Sequence, residues 1–129
     1  MGWTEKMSLG LGGRMIRVLD LGFGYYALLS RDGSGRVVNI AAHLQVSEGP
    51  LQAIIWNVQL RAWTYDPEVA GQFLLDDQYF DRRTVIDRSA AEQIAREILH
   101  TELPSDAELR EICAAGLAHQ QSEVHRSSE

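Results

Sequence analysis

Hydrophobic and polar positions alternate with a period of two along the first half of the chain and with a helical period along the second. Val38, Ile40, Ala42, Leu44 and Val46 put apolar groups on one face of an extended segment, while Asn39, His43 and Gln45 take the other. After Glu48-Gly49-Pro50 the alternation resumes, with Ile54, Trp56, Val58, Leu60 and Ala62 set against Asn57, Gln59 and Arg61, the most regular strand pattern in the sequence. Upstream, segments 16–21 and 25–31 are short runs rich in branched and aromatic residues, and Gly22 and Gly24 between them predict a hairpin turn. Asp32-Gly33-Ser34-Gly35 predicts a second turn, because glycine tolerates positive φ. Four strands with such short links predict an antiparallel meander, since parallel neighbours need crossovers of about a dozen residues or more.

Beyond Trp63 the period changes. Asp66-Pro67-Glu68 predicts a helix start: Asp caps free backbone N–H groups, Pro loses nothing at the first helical position, and Glu complements the positive end of the dipole. That helix runs to about Leu75 and buries Val69, Ala70, Phe73 and Leu74. Ser89-Ala90-Ala91-Glu92 fits a capping box, followed by Ala91, Ile94, Ala95, Ile98 and Leu99 on one stripe. Ser105-Asp106-Ala107-Glu108 repeats the grammar, followed by Leu109, Ile112, Cys113, Gly116 and Leu117. Residues 82–86 fit either a fifth, edge strand or a loop. Covering the helical stripes with the apolar face of the sheet gives an α+β domain of two layers, an antiparallel meander of four to five strands with two or three helices packed on one face. The domain is expected over 15–118, with a glycine-rich, aperiodic extension at 1–14 and a flexible tail at 119–129 rich in Gln, Ser, Glu and His.

Composition agrees with a single folded domain: 129 residues, 45% hydrophobic and 23% charged. Its one cysteine, Cys113, forms no internal bridge, so the expected compartment is the cytoplasm. No run approaches the roughly 20 apolar residues of a membrane-spanning helix. Charge sharpens the division at Trp63. Residues 1–63 hold six Lys/Arg against four Asp/Glu, whereas residues 64–113 hold five against twelve. A net charge of −6 opposes nonspecific binding to nucleic acid or anionic lipid, both of which depend on neutralising phosphate.

Candidate chemistry is sparse. Gly22-Phe23-Gly24-Tyr25-Tyr26-Ala27 matches the glycine spacing of a dinucleotide-binding turn, but a strand follows where that chemistry needs a helix N-terminus. Asp76-Asp77-Gln78-Tyr79-Phe80-Asp81 resembles, over six residues, the aspartate-rich metal-diphosphate motif of isoprenoid synthases and terpene cyclases. That resemblance implies a helical bundle larger than this chain, so a solvated surface is the expectation. Cys113 lies on a buried stripe, and no serine has the strained setting of a hydrolase nucleophile. Arg82, Arg83 and Arg88 are expected to pair with Asp76, Asp77, Asp81 or Asp87. No catalytic residue, metal site or cofactor is assigned.

The leading functional expectation is a small acidic protein-binding module of the immunity or inhibitor type, which neutralises a basic partner. Trp63, Tyr65, Tyr79 and Phe80 would anchor that partner, while Asp76, Asp77 and Asp81 steer and pair. An alternative puts a small ligand, or catalysis, on the polar face of the sheet among Asn39, His43, Asn57 and Gln59, with His43 as general base. A further alternative is a homodimer formed through sheet face or edge, with Ile55 and Trp63 at the interface.

Overall fold

A computed structural model describes residues 4–9 and 15–127. Among the described residues six strands form one antiparallel sheet: β1 (Thr4–Leu9), β2 (Met15–Leu29), β3 (Val37–Val46), β4 (Ala53–Asn57), β5 (Ala62–Tyr65) and β6 (Arg83–Ile86). The order β1-β2-β3-β4-β5 follows the sequence, and β6 returns to pair with β2 at Tyr25–Leu28. Three helices complete an α+β fold: α1 (Pro67–Leu75), α2 (Arg88–Glu97) and α3 (Asp106–Ser127). No helix among the described residues is long and apolar enough to cross a membrane.

The strands depart from the expected pattern in three places, each for a local reason. Gly22 and Gly24 do not turn the chain. β2 runs through them with a bulge between Asp20 and Phe23, where Gly22 takes φ 82° and its N–H donates to Asp20 Oδ1 at 2.9 Å. A glycine inside a strand pattern signals a bulge as readily as a turn, and here both halves of the run have neighbours to pair with. Second, the regular alternation beyond Ile54 is not one strand. β4 ends at Asn57, whose Oδ1 accepts from Leu60 N–H at 2.9 Å, and the chain reverses through Val58–Arg61 into β5. Third, residues 4–9, expected in an extension outside the domain, form β1, paired from Thr4↔Asp20 to Leu9↔Met15. Residues 1–3 and 10–14 of that segment lie outside the described residues.

Helix starts follow side-chain chemistry. Asp66 Oδ1 accepts from Val69 N–H at 3.1 Å, with Pro67 at the first turn, as expected. At α3 the capping box is complete: Ser105 Oγ accepts from Glu108 N–H and Glu108 Oε1 accepts from Ser105 N–H, both at 3.1 Å. α2 begins earlier than the Ser89 box implied, because Asp87 Oδ1 caps Ala90 N–H at 2.8 Å and leaves Glu92 to pair with Arg88 at 3.6 Å. α3 continues through residues 119–127, which the sequence had set aside as a tail.

α2 and α3 cover one face of the sheet. Ala91, Ala95, Leu99, Leu103, Leu109 and Cys113 pack there on Tyr25, Ile40, Ala42, Leu44, Ile54 and Trp56. The expectation of a single helical layer is corrected by α1, which lies over the opposite face, with Ala70 on Leu28, Ala41, Ala53 and Ile55. This cover explains why Ile55, on the nominally wet face, is buried. An ion pair pins α3 to the bulge. Asp20, only 1% exposed, receives both terminal nitrogens of Arg110, and Arg110 Nε donates to Asp106 at 2.6 Å. Arg88 ties the loop before α3 to the sheet, donating to Tyr25 Oη at 2.7 Å and to the Pro104 carbonyl at 2.8 Å.

Candidate functional site

The seam between sheet and helices builds a broad concavity. β5 ends at Tyr65, the chain turns at Asp66, and Pro67 starts α1, so three consecutive residues form one wall. The opposite wall is the later half of α3. Gly116 makes that approach feasible: a β-carbon there would stand 2.1 Å from the Tyr65 ring, so only glycine lets the helix cross the ring so closely. Tyr65 Oη lies 3.0 Å from Gln120 Oε1 and 3.4 Å from the Leu51 carbonyl, fixing strand to helix, and burial pushes its phenol pKa up.

Between the walls lies a cleft of about 520 Å³. Pro50, Leu51 and Pro67 give it apolar sides, while Asp66 and Glu68 on one wall face His119 and Glu123 on the other. His119 Nε2 and Glu123 Oε1 are 3.0 Å apart, one helical turn from each other. Among the described residues, three carboxylates and no Lys or Arg line the space. Carboxylates so placed can accept charge-assisted N–H bonds, and the proline and tyrosine rings beside them offer apolar surface. No cluster of three metal-binding side chains occurs among the described residues.

The residues expected to bind a partner are divided between different surroundings. Trp63 is turned inward, its ring centroid 5.3 Å from that of Trp56 and its Nε1–H donating to the Glu102 carbonyl at 3.1 Å. Tyr65 belongs to the cleft. Asp76 and Asp81 follow α1, which packs on the other face of the sheet. Asp76 is occupied as the cap of a 3₁₀ turn over Asp77–Arg82, accepting from Gln78 N–H at 3.1 Å and Gln78 Nε2 at 3.0 Å, and Asp81 is exposed. The side chains of Asp77, Tyr79 and Phe80 lie outside the described residues. The arginines disperse as well: Arg82 lies 5.4 Å over the Phe73 ring and Arg83 donates to the Phe73 carbonyl.

The polar-face set does not converge either. Asn39 Nδ2 donates to the Trp56 carbonyl at 2.9 Å, Asn57 caps its own turn, and Gln59 is exposed within that turn. His43 pairs in register with Gly24 and Ala53, four residues along β3 from Asn39, and half-burial pushes its pKa down. His119, Gln120 and Glu123 were absent from the expected site. The His119/Glu123 spacing of four was their one visible signal, and it needed the helix to extend past residue 118. Comparison with protein-family models, curated proteins and solved structures gives no match.

Proposed function

We propose that this protein is a small acidic protein-binding module of the immunity or inhibitor type, which receives a basic side chain of a protein partner in the seam cleft. The observation that carries the reading is the cleft itself: about 520 Å³, walled by Tyr65, Asp66 and Glu68 on one side and by His119 and Glu123 on the other, with no Lys or Arg lining it among the described residues. An arginine or lysine entering it would exchange water for carboxylate on both sides. The net charge of −6 would add long-range steering toward a basic surface. Asp81, exposed beyond α1, extends the proposed surface as part of its rim, where charge governs association rate more than affinity.

The test compares two charge reversals on otherwise identical tagged protein, read by recovery of a partner from source lysate, by identification of its charge and by salt dependence. Glu68→Arg with Glu123→Arg is expected to abolish capture of a basic partner, since a like charge in a desolvated contact costs roughly 2 kcal/mol or more. Asp76→Arg with Asp81→Arg should slow association and leave the complex detectable. The cleft double should melt within a degree or two of wild type, and the Asp76/Asp81 double a few degrees lower, because Asp76 caps the 3₁₀ turn. Undiminished capture by the cleft double, or an acidic partner, would sink the proposal.

A further inference from the structure

A second concavity lies beside the β4–β5 turn and plays no part in the proposed function. It is a groove of about 280 Å³, with Trp56 and Leu99 at its base and Val38, Val58 and Ile98 along its sides. Folding leaves these sides uncovered: Val58 is 66% exposed and Ile98 43%. The remaining lining residues, Arg61 and His100, come from two separate turns. Arg61 closes the reversal between β4 and β5. His100 follows the last turn of α2, where Thr101 N–H donates back to the Ala95 carbonyl at 2.9 Å.

Arg61 has φ 53° and His100 φ 56°, and they are the only non-glycine residues with positive φ among those described. Both positions are ones that glycine or asparagine ordinarily fills, at a hairpin turn and at a helix C-terminus, because a β-carbon is strained there. Local folding therefore gives no reason for a long basic side chain or an imidazole at either place. The two strained positions nevertheless meet at one groove. Neither side chain makes a hydrogen bond or ion pair among the described residues. Arg88, Arg96 and Arg110, by contrast, each engage an acid. Among the described residues no carboxylate lines the groove, so in a chain of net −6 this apolar hollow carries guanidinium and imidazole donors that no described side chain pairs with. Strain that persists in the folded state is a pointer to function when side chains from separate elements converge.

We infer that the groove binds a small monocarboxylate with a compact apolar body, its apolar part on Trp56, Leu99 and Ile98 and its carboxylate held by Arg61 and His100. The guanidinium fork offers two parallel N–H donors to a carboxylate, and the imidazole adds a third from the other side. The volume lies at the lower bound of small-ligand sites, about 300 Å³, which limits the body to one ring or a short branched chain.

The test uses 4-phenylbutanoate as probe, its neutral isostere 4-phenylbutanamide as control, and ¹H–¹⁵N NMR titration of the full chain. Saturable shifts are expected at the amides of Val58, Arg61, Ile98 and His100, with the amide binding about tenfold more weakly, as loss of a charge-assisted contact implies. Arg61→Gly and His100→Gly should each weaken the carboxylate by about tenfold while keeping or raising Tm, because glycine relieves the strained backbone. Absence of saturable shifts, equal binding of the amide, or unchanged affinity in both glycine variants would overturn the inference. So would a fall in Tm on either substitution, which would assign the two residues to the fold. Light scattering supplies the last arm: a monomer of 14.5 kDa is expected, and a dimer dissociated by Val58→Asp would give the groove to a second copy instead.

Discussion

Against α2 and α3 the sheet sets Tyr25, Ile40, Leu44, Ile54 and Trp56 beneath Leu99, Leu103, Leu109 and Cys113; against α1 it sets Leu28, Ala41, Ala53 and Ile55 beneath Ala70, with Phe73 and Leu74 only partly buried. Each large apolar side chain removed from water contributes about 1.5–3 kcal/mol, so the first face holds most of the hydrophobic stabilisation. It also holds the buried carboxylate Asp20 with its Arg110 partner. The contrast divides labour within one small domain. One face fixes the fold, and the other is closed by a nine-residue helix whose start supplies Asp66 and Glu68 to the cleft. The cleft stands where the two coverings meet, since its far wall is α3. Its shape therefore reports how α1 and α3 dock on opposite sides of the same strands.

Truncating a core side chain on each face tests this asymmetry most severely. Leu109 is fully buried, and Leu109→Ala should cost about 2–5 kcal/mol. Phe73 is half-buried on α1, and Phe73→Ala should cost about 1–2 kcal/mol, well below the 3–5 of a fully buried phenylalanine. Urea melts measure both. Equal losses would mean that α1 is as deeply integrated as α3, and the division between the faces would fail.

A smaller effect is expected at the bulge. Asp20→Asn keeps an acceptor for Gly22 N–H and removes the negative charge facing Arg110. Breaking a fully buried pair costs about 3–5 kcal/mol, but the Arg110 side chain is 30% exposed and retains Asp106, so about 2 kcal/mol is the expected loss by urea melt. Arg110→Met, which removes the cation and leaves Asp20 buried without it, should cost more than Asp20→Asn. The reverse order would show that α3 is held by packing alone.

How much of this was legible in the sequence depends on how local the determining chemistry is. Asp66-Pro67 and the Ser105/Glu108 box announce α1 and α3 because a cap and its target lie three residues apart. The β4–β5 turn was hidden because Val58 and Leu60 keep the apolar alternation while lying 66% and 68% exposed; the decisive signal was one Asn57 side chain satisfying Leu60 N–H. β1 was hidden because its pairing is with β2 and its own glycine-rich flanks carry no period. At the candidate site, Tyr65 was recognised as a seam aromatic and Asp66 and Glu68 as helix-start acids. His119 and Glu123 join them only because Gly116 lets α3 cross Tyr65, a contact 51 residues apart in sequence that no local pattern encodes.

The smallest predicted effect uses His43 to ask how well α1's side of the sheet excludes water. Burial holds the folded-state pKa of His43 below its usual 6.5, so the unfolded chain binds the proton more readily than the folded one. Stability from this group is therefore complete above the unfolded value and declines as pH falls through 6.5 toward the lower folded value. Tm should drop between pH 7.5 and 5.5 in wild type, and His43→Gln, which does not titrate, should flatten that segment of the curve; these pH settings are about one unit either side of the ordinary histidine range. The same substitution on the α2/α3 side would meet a dry core; here the half-buried position should leave Tm at pH 7.5 nearly unchanged. A pH slope that survives His43→Gln would place the titrating group elsewhere, and a large loss at pH 7.5 would mean that α1 seals its face more tightly than its side chains imply.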